Sequence, residues 1–307
     1  MPSRRAVLSV VFVSVLSLSV LGCGKSTGSK GAQLRVVCTT GMVADIVKNV
    51  GGKHVSVEAL MGAGVDPHLY KANVGDSRKL ADAQIVFASG KHLESASMRN
   101  ALEGIKKRNK PVYEVTEALP KEDLLMADAE VDPHIWHNVE LWRRCVEVVY
   151  DGLRKLKPEL EAEFKKNREA YEKRLSALHE STKKKIEEIP EEQRYLVTAH
   201  DAFSYYAKAY GLTQKSIQGI STTDEASVKK INELVDFLVK HKIKAIFVES
   251  SVPQKTIQSL QEGCQSKGHK VVIGGELHSD ALGSKGDAAT YEGMIKHNTE
   301  TIVKALK

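Results

Sequence analysis

The amino-acid sequence predicts an α/β protein of two lobes, each a four-stranded parallel sheet with flanking helices, joined by one long rigid α-helix. Three observations predict it. Short β-branched or apolar runs alternate with stretches of helical period, which is the pattern of parallel sheets covered by helices. The runs fall into two sets of four. Between the sets lies a long charged segment that neither Pro nor Gly interrupts.

The first 22 residues stand outside that fold. Met1-Pro2-Ser3-Arg4-Arg5 is a basic start, and Ala6 to Leu21 is an apolar run broken only by serines. This is a secretory signal peptide. Its end, Val20-Leu21-Gly22-Cys23, has the form of a bacterial lipobox, which implies cleavage before Cys23 and a lipid on its thiol. The alternatives are an ordinary signal peptide with an incidental cysteine, and an uncleaved anchor. The stretch "GKSTGSKGAQ" favours the lipoprotein, because an anchored domain needs a flexible tether. Residues 23–33 are therefore read as tether.

Removing 22 of 307 residues leaves 285, enough for two lobes of ordinary size. The formal charge of +6 loses Arg4 and Arg5 and becomes about +4. Acids and bases are interspersed, which argues against a nucleic-acid partner. Cys38, Cys145 and Cys264 form no CxxC pair, so neither a thiolate zinc site nor a redox motif is indicated. Cys38 and Cys145 read as small buried hydrophobes.

In the first lobe, residues 34–157, the expected strands are Leu34–Cys38, Val55–Leu60, Ile85–Ala88 and Pro111–Val115. In the second, residues 191–307, they are Tyr195–Thr198, Leu212–Ile217, Ala245–Val248 and Lys270–Ile273. Helical patterns such as Val43–Val50 and Val228–His241 lie between them. Residues 158–190 form the linking helix. Its apolar positions, Leu160, Phe164, Tyr171, Leu175, Leu178, Ile186 and Ile189, share one helix face, with Pro158 before and Pro190 after. At 1.5 Å per residue the segment Glu159–Ile189 would span about 46 Å. Its remaining Lys, Arg and Glu read as a solvated face.

One loop is written twice. Asp66-Pro67-His68-Leu69-Tyr70 reappears as Asp132-Pro133-His134-Ile135-Trp136. Proline fixes its own φ and pushes the preceding Asp toward an extended conformation. An Asp there accepts nearby backbone N–H groups, so the loop presents its His in one direction. Asn73 and Asn138 read as N-caps of the helices that follow. His200, in "VTAHDAF", follows a strand, where ligands bind in parallel sheets. Three such histidines suggest a metal. A fourth ligand is expected from "GGELHSDALG", which offers Glu276, His278 and Asp280.

The chain resembles the metal-binding solute-binding lipoproteins of bacterial ABC importers. The resemblance runs from about Leu34 to the C-terminus. It is carried by "TTGMVADIVKNV", "LMGAGVDPHLY", "DPHIWHNVELW", "LVTAHDAFSYYAKAYG", "QGISTTDEAS", "AIFVESSVPQK" and "GGELHSDALG". It implies a metal held by His68, His134, His200 and Asp280, and the same fold of two lobes and a long helix. It also implies one divalent transition-metal ion per chain as cargo, Zn, Mn or Fe. The partner it implies is an ABC permease, with the chain outside the cytoplasm, held to the membrane by lipid on Cys23, and monomeric. Some zinc-dedicated members carry a long His- and acid-rich loop near the site; here "KEDLLMADAEV" is short and has no His. Some manganese-dedicated members have Glu where His200 stands, so the chain matches neither specialised type.

Other residues receive smaller roles. Glu249 is a candidate to orient His200 from behind, with a plain loop carboxylate as the alternative. Asp66 and Asp132 read as loop-fixing, His92 as structural, His278 as a surface residue and His137 as near the site without binding. A metal-dependent hydrolase is the competing class, but a catalytic zinc keeps an open position, and no HExxH, GxSxG or P-loop is present. A surface adhesin fits a lipid anchor and leaves the histidines unexplained. The reading is a binding protein and not an enzyme.

Overall fold

The computed structural model describes residues 33–307 except Asp128 and Glu225. The expected signal peptide, Cys23 and the tether before Gln33 lie outside the described residues. Gln33–Lys307 forms one compact unit. None of its described helices is long and apolar enough to cross a membrane.

The first half runs β1 (Leu34–Thr40), α1 (Gly41–Gly51), β2 (Val55–Met61), α2 (Val74–Asp82), β3 (Ile85–Ala88), α3 (Ala96–Lys106) and β4 (Val112–Glu114). These strands make one parallel sheet in the order β2-β1-β3-β4. Val36 lies between Val57 and Ile85, so the register keeps β-branched residues side by side in the centre. Thr40 caps α1, and Asn73 caps α2 in a capping box with Asp76. A two-residue hairpin follows, β5 (Met126–Ala127) with β6 (Glu130–Val131), which no periodicity announced. Next come α4 (Val139–Leu156), capped by Asn138, and α5 (Glu161–Ile186).

The expected linking helix is thus a 3-10 turn at Pro158–Leu160 followed by 26 residues of regular α-helix, about 39 Å long. Its buried side chains are Phe164, Tyr171, Leu175, Leu178, Thr182 and Ile186. The helix packs on α1 and α4 of the first half.

The second half runs β7 (Tyr195–Thr198), α6 (Ser204–Tyr210), β8 (Thr213–Ser216), α7 (Val228–Lys240), β9 (Ala245–Glu249), α8 (Lys255–Ser266), β10 (Val272–Leu277) and α9 (Tyr291–Leu306). All four expected strands are present and parallel to their partners, but as two pairs, β7–β8 and β9–β10. β7 packs beside β9. At their ends the Glu249 side chain makes the link, with Oε1 accepting from the backbone N–H of Ala199 and His200. In β10 a register shift falls between Ile273 and Gly275. Gly275 has φ 146°, and a Cβ there would sit 2.5 Å from Thr301 of α9, so only glycine fits.

One apolar core crosses the molecule. It joins Leu34, Val36 and Cys38 of β1 and Trp142 and Val146 of α4, through Tyr171, Leu175 and Leu178 of α5, to Tyr206, Phe247 and Ile302 of the second half. The outer faces have their own cores, under α2 and α3 and under α7 and α8. Cys38, Cys145 and Cys264 are all buried and free.

Candidate metal centre

His68 lies in the loop after β2, and His134 in the loop between β6 and a 3-10 turn at Ile135–His137. His200 directly follows β7, and Asp280 lies in the loop after β10. One nitrogen or oxygen from each of the four falls within 4.8 Å of all the others. His68 Nε2 is 3.4 Å from His134 Nε2. Asp280 sits between the other two, Oδ1 3.4 Å from His134 Nε2 and Oδ2 3.3 Å from His200 Nε2. Bonds of about 2.1 Å to a four-coordinate ion place neighbouring ligand atoms about 3.4 Å apart. The three separations match that spacing.

The rings are held from behind. Asp132 Oδ1 accepts the backbone N–H of His134 at 3.0 Å and lies 2.7 Å from its Nδ1. Glu249 Oε2 lies 2.5 Å from His200 Nδ1. A carboxylate beside Nδ1 accepts from the N–H there and leaves Nε2 free to face a cation. Glu249 therefore stands where the sequence suggested, and Asp132 does more than fix its loop. Asp66 Oδ1 accepts from the backbone N–H of His68 and Leu69, and its Oδ2 accepts from Thr222 Oγ1.

Burial makes the cluster demanding. His134 and His200 are 0 % exposed, Asp280 2 % and His68 8 %. Among the described residues neither Asp280 oxygen has a hydrogen-bond donor, and nor has His200 Nε2 a partner. The Asp280 contacts are ion-pair distances, long for hydrogen bonds. Leaving such groups unpaired costs about 1–3 kcal/mol each, more when charged; a cation among them would satisfy all of them together.

The titration follows from the same contacts. Burial alone would disfavour a charge on His134, but Asp132 and Asp280 outweigh it and lift the ring to about 9. Burial works likewise against His200, and Glu249 and Asp280 raise it well above the usual range. Burial would raise Asp280; the two rings beside it hold it well below the usual carboxylate range. His68 has no carboxylate on its ring, and burial pushes it down to about 3 against the pull of Asp280. Without an ion, then, two protons stand where a divalent cation would.

Residues around the cluster fall into place. The carbonyl of Ser279 accepts from Trp136 Nε1 and His137 Nε2, both at 2.9 Å, and this fixes the loop of Asp280 to the turn after His134. Tyr291 Oη donates to the Trp136 carbonyl at 2.6 Å. These contacts span more than 140 residues and carry no local sequence signal. His278 is outside the cluster, with Nδ1 on Ser250 Oγ at 3.0 Å and backbone bonds to Asn298. Glu276 is exposed. His92, expected to be structural, is exposed with φ 64° and lines a cleft of about 330 Å³ that His68 also lines.

The family described as zinc-uptake complex component A, periplasmic (ZnuA) matches residues 36–305. The manganese-binding lipoprotein MntA of Bacillus subtilis is 44% identical over 99% of this chain and 100% of its own length. The zinc-binding protein TroA of Treponema pallidum is 43% identical over 95% of this chain and 96% of its own. Its solved structure superposes with a TM-score of 0.87, at 43% identity, covering 90% of this chain and 99% of that one. The Fe(III)-bound YtgA of Chlamydia trachomatis gives 0.81 at 27% identity, covering 89% and 98%.

Proposed function

Because the chain belongs to the ZnuA family of periplasmic zinc-uptake components, we propose that it is the extracytoplasmic binding component of an ABC importer. Its cargo is one divalent transition-metal ion, held by His68, His134, His200 and Asp280. The observation that carries the reading is the cluster itself, four buried ligands from four loops at the spacing of a four-coordinate ion. Relatives are named for manganese and zinc, and one structural neighbour holds iron. Three imidazoles and one carboxylate suit Zn²⁺, and a carboxylate binding through both oxygens also admits Mn²⁺ or Fe²⁺. Affinity follows the Irving–Williams order whatever the duty, so supply rather than the site alone selects the cargo.

The division of labour follows from the topology. Residues 34–157 form one lobe and give His68 and His134. Residues 191–307 form the other and give His200 and Asp280. Residues 158–190 join them. Either pair of ligands alone is a poor chelate, so capture needs both lobes and release needs their ligands parted. Four protein ligands fill the coordination of Zn²⁺ and leave no place for a reactive water, which supports carriage over hydrolysis. The partner is the permease of the same importer. A lipid on Cys23 holds the monomeric chain at the outer side of the membrane.

The test is metal content joined to growth. The mature chain should bind one Zn²⁺ or Mn²⁺, hydrolyse no ester or phosphate, and lose binding in a His68→Ala, Asp280→Ala variant whose far-UV spectrum is unchanged. A deletion strain should fail on limiting metal and recover with the cargo ion. Full binding by the double variant would remove the assignment.

A further inference from the structure

The two Asp-Pro-His loops are alike in sequence and differ in how they are tied down. The second belongs to a block that crosses the molecule: Trp136 and His137, both 0 % exposed, hold the carbonyl of Ser279, next to Asp280. Tyr291 holds Trp136 in turn, and Glu249 braces His200. His134, His200 and Asp280 are therefore built into one assembly. The first loop is not part of it. Within its own half it is tied by Ser95, whose N–H donates to the Pro67 carbonyl at 3.0 Å. Among the described residues, the one hydrogen bond from residues 62–72 to the second half is Thr222 Oγ1 to Asp66 Oδ2, at 2.6 Å. Asp66 passes that hold on, because its other oxygen accepts the N–H of His68 at 2.8 Å.

The surroundings of this bond point the same way. Of the four ligands, His68 is the most exposed and the one that lines the cleft. Ser221 and Thr223, on either side of Thr222, line the same cleft. The ion's way to solvent therefore passes His68, and the Thr222–Asp66 bond ties the loop of His68 to the segment that forms the other wall of the cleft.

We propose that Thr222 is a latch: by holding Asp66 across the two halves it keeps His68 on the ion and sets how long the ion stays. It is a positioning residue and touches no metal. The inference rests on reading the cluster as a metal site. Its consequence is kinetic. Loss of the hydroxyl leaves all four ligands in place and frees one of them to swing out.

The experiment uses the mature chain loaded with Zn²⁺, and separately with Mn²⁺, chased with excess chelator. Thr222→Val keeps the branched shape and removes the donor; Thr222→Ser keeps the donor. Losing a charge-assisted hydrogen bond partly open to water should speed release about 5- to 30-fold. Thr222→Val should do so with one ion still bound at saturation and an unchanged ion-free Tm, and Thr222→Ser should release near the wild-type rate. A wild-type rate in Thr222→Val overturns the latch, as does a Thr222→Ser rate as fast as that of Thr222→Val. A wild-type chain that binds neither ion would instead overturn the metal reading itself.

Discussion

Metal binding should expel protons well above the range of ordinary histidines. In the ion-free chain His134 titrates at about 9, and His200 lies well above its usual range. His68 is pushed to about 3 and Asp280 lies well below the carboxylate range, so those two are already in their ligating forms at neutral pH. An arriving ion must displace the protons of His134 and His200. With two protons released per ion, apparent affinity rises by about four orders of magnitude from pH 6 to pH 8. Three free histidines of ordinary pKa would instead give a curve that is flat above pH 7. Calorimetric titration with Zn²⁺ at pH 7, in buffers of different ionisation enthalpy, counts the protons directly. Stability supplies a second readout. His134 titrates higher in the folded chain than in the unfolded one. Its stabilisation of the ion-free form is thus complete below about pH 6.5 and is lost as pH rises toward 9; His200 acts in the same direction. The ion-free Tm should fall across that window while the rise in Tm on adding metal grows. Proton release near zero at pH 7, with constant affinity from pH 7 to 9, would refute the reasoning.

Two further outcomes follow. Glu249→Gln and Asp132→Asn should each weaken binding about 10- to 100-fold with one ion still bound, because the ring loses the carboxylate that orients it; unchanged titration curves would show that the loops alone aim the rings. Small-angle scattering of the ion-free and Zn²⁺-bound chain should give nearly superimposable curves, and a change of several ångströms in radius of gyration would contradict a rigid frame.

Much of this was legible in the sequence for identifiable reasons. β1, β3, β7 and β9 were readable because buried parallel strands are apolar runs, β8 (Thr-Gln-Lys-Ser) only through the apolar Leu212 and Ile217 that flank it, and α5 because Phe164, Tyr171, Leu175 and Leu178 keep one face. The repeated Asp-Pro-His drew attention to His68 and His134 because proline-fixed loops have few uses. The β5–β6 hairpin was not readable, since two-residue strands have no period. The pairing of strands in the second half was hidden because a side chain, Glu249, makes the link beyond β7. The pKa of His134 was hidden for a related reason: Asp132 is adjacent in sequence, but Asp280 is brought there only by folding. Contacts such as Thr222 to Asp66 and Trp136 to Ser279 join residues 156 and 143 apart, and no spacing announces them.

The frame also decides how an ion can leave. Two routes are open in principle, parting the halves or moving one loop. Parting the halves pulls Trp136 and His137 from Ser279, Tyr291 from Trp136, and the His137 ring from Phe203, whose centroid is 4.3 Å away. It also opens a core that runs unbroken from β1 to α9. Each aromatic side chain so exposed uncovers about 150–250 Å², and at about 25 cal/mol per Å² that is about 4–6 kcal/mol. Two or three of them equal the whole stability of an ordinary domain. Moving the loop of His68 breaks one hydrogen bond between the halves, about 1–2 kcal/mol for a charged acceptor partly open to water, and leaves the core closed. The loop is the cheaper route by several kcal/mol. A permease that draws the ion out has only to compete for His68, which lines the cleft, or for Asp66 behind it, while the contacts of Trp136, His137, Tyr291 and Glu249 hold the other three ligands still.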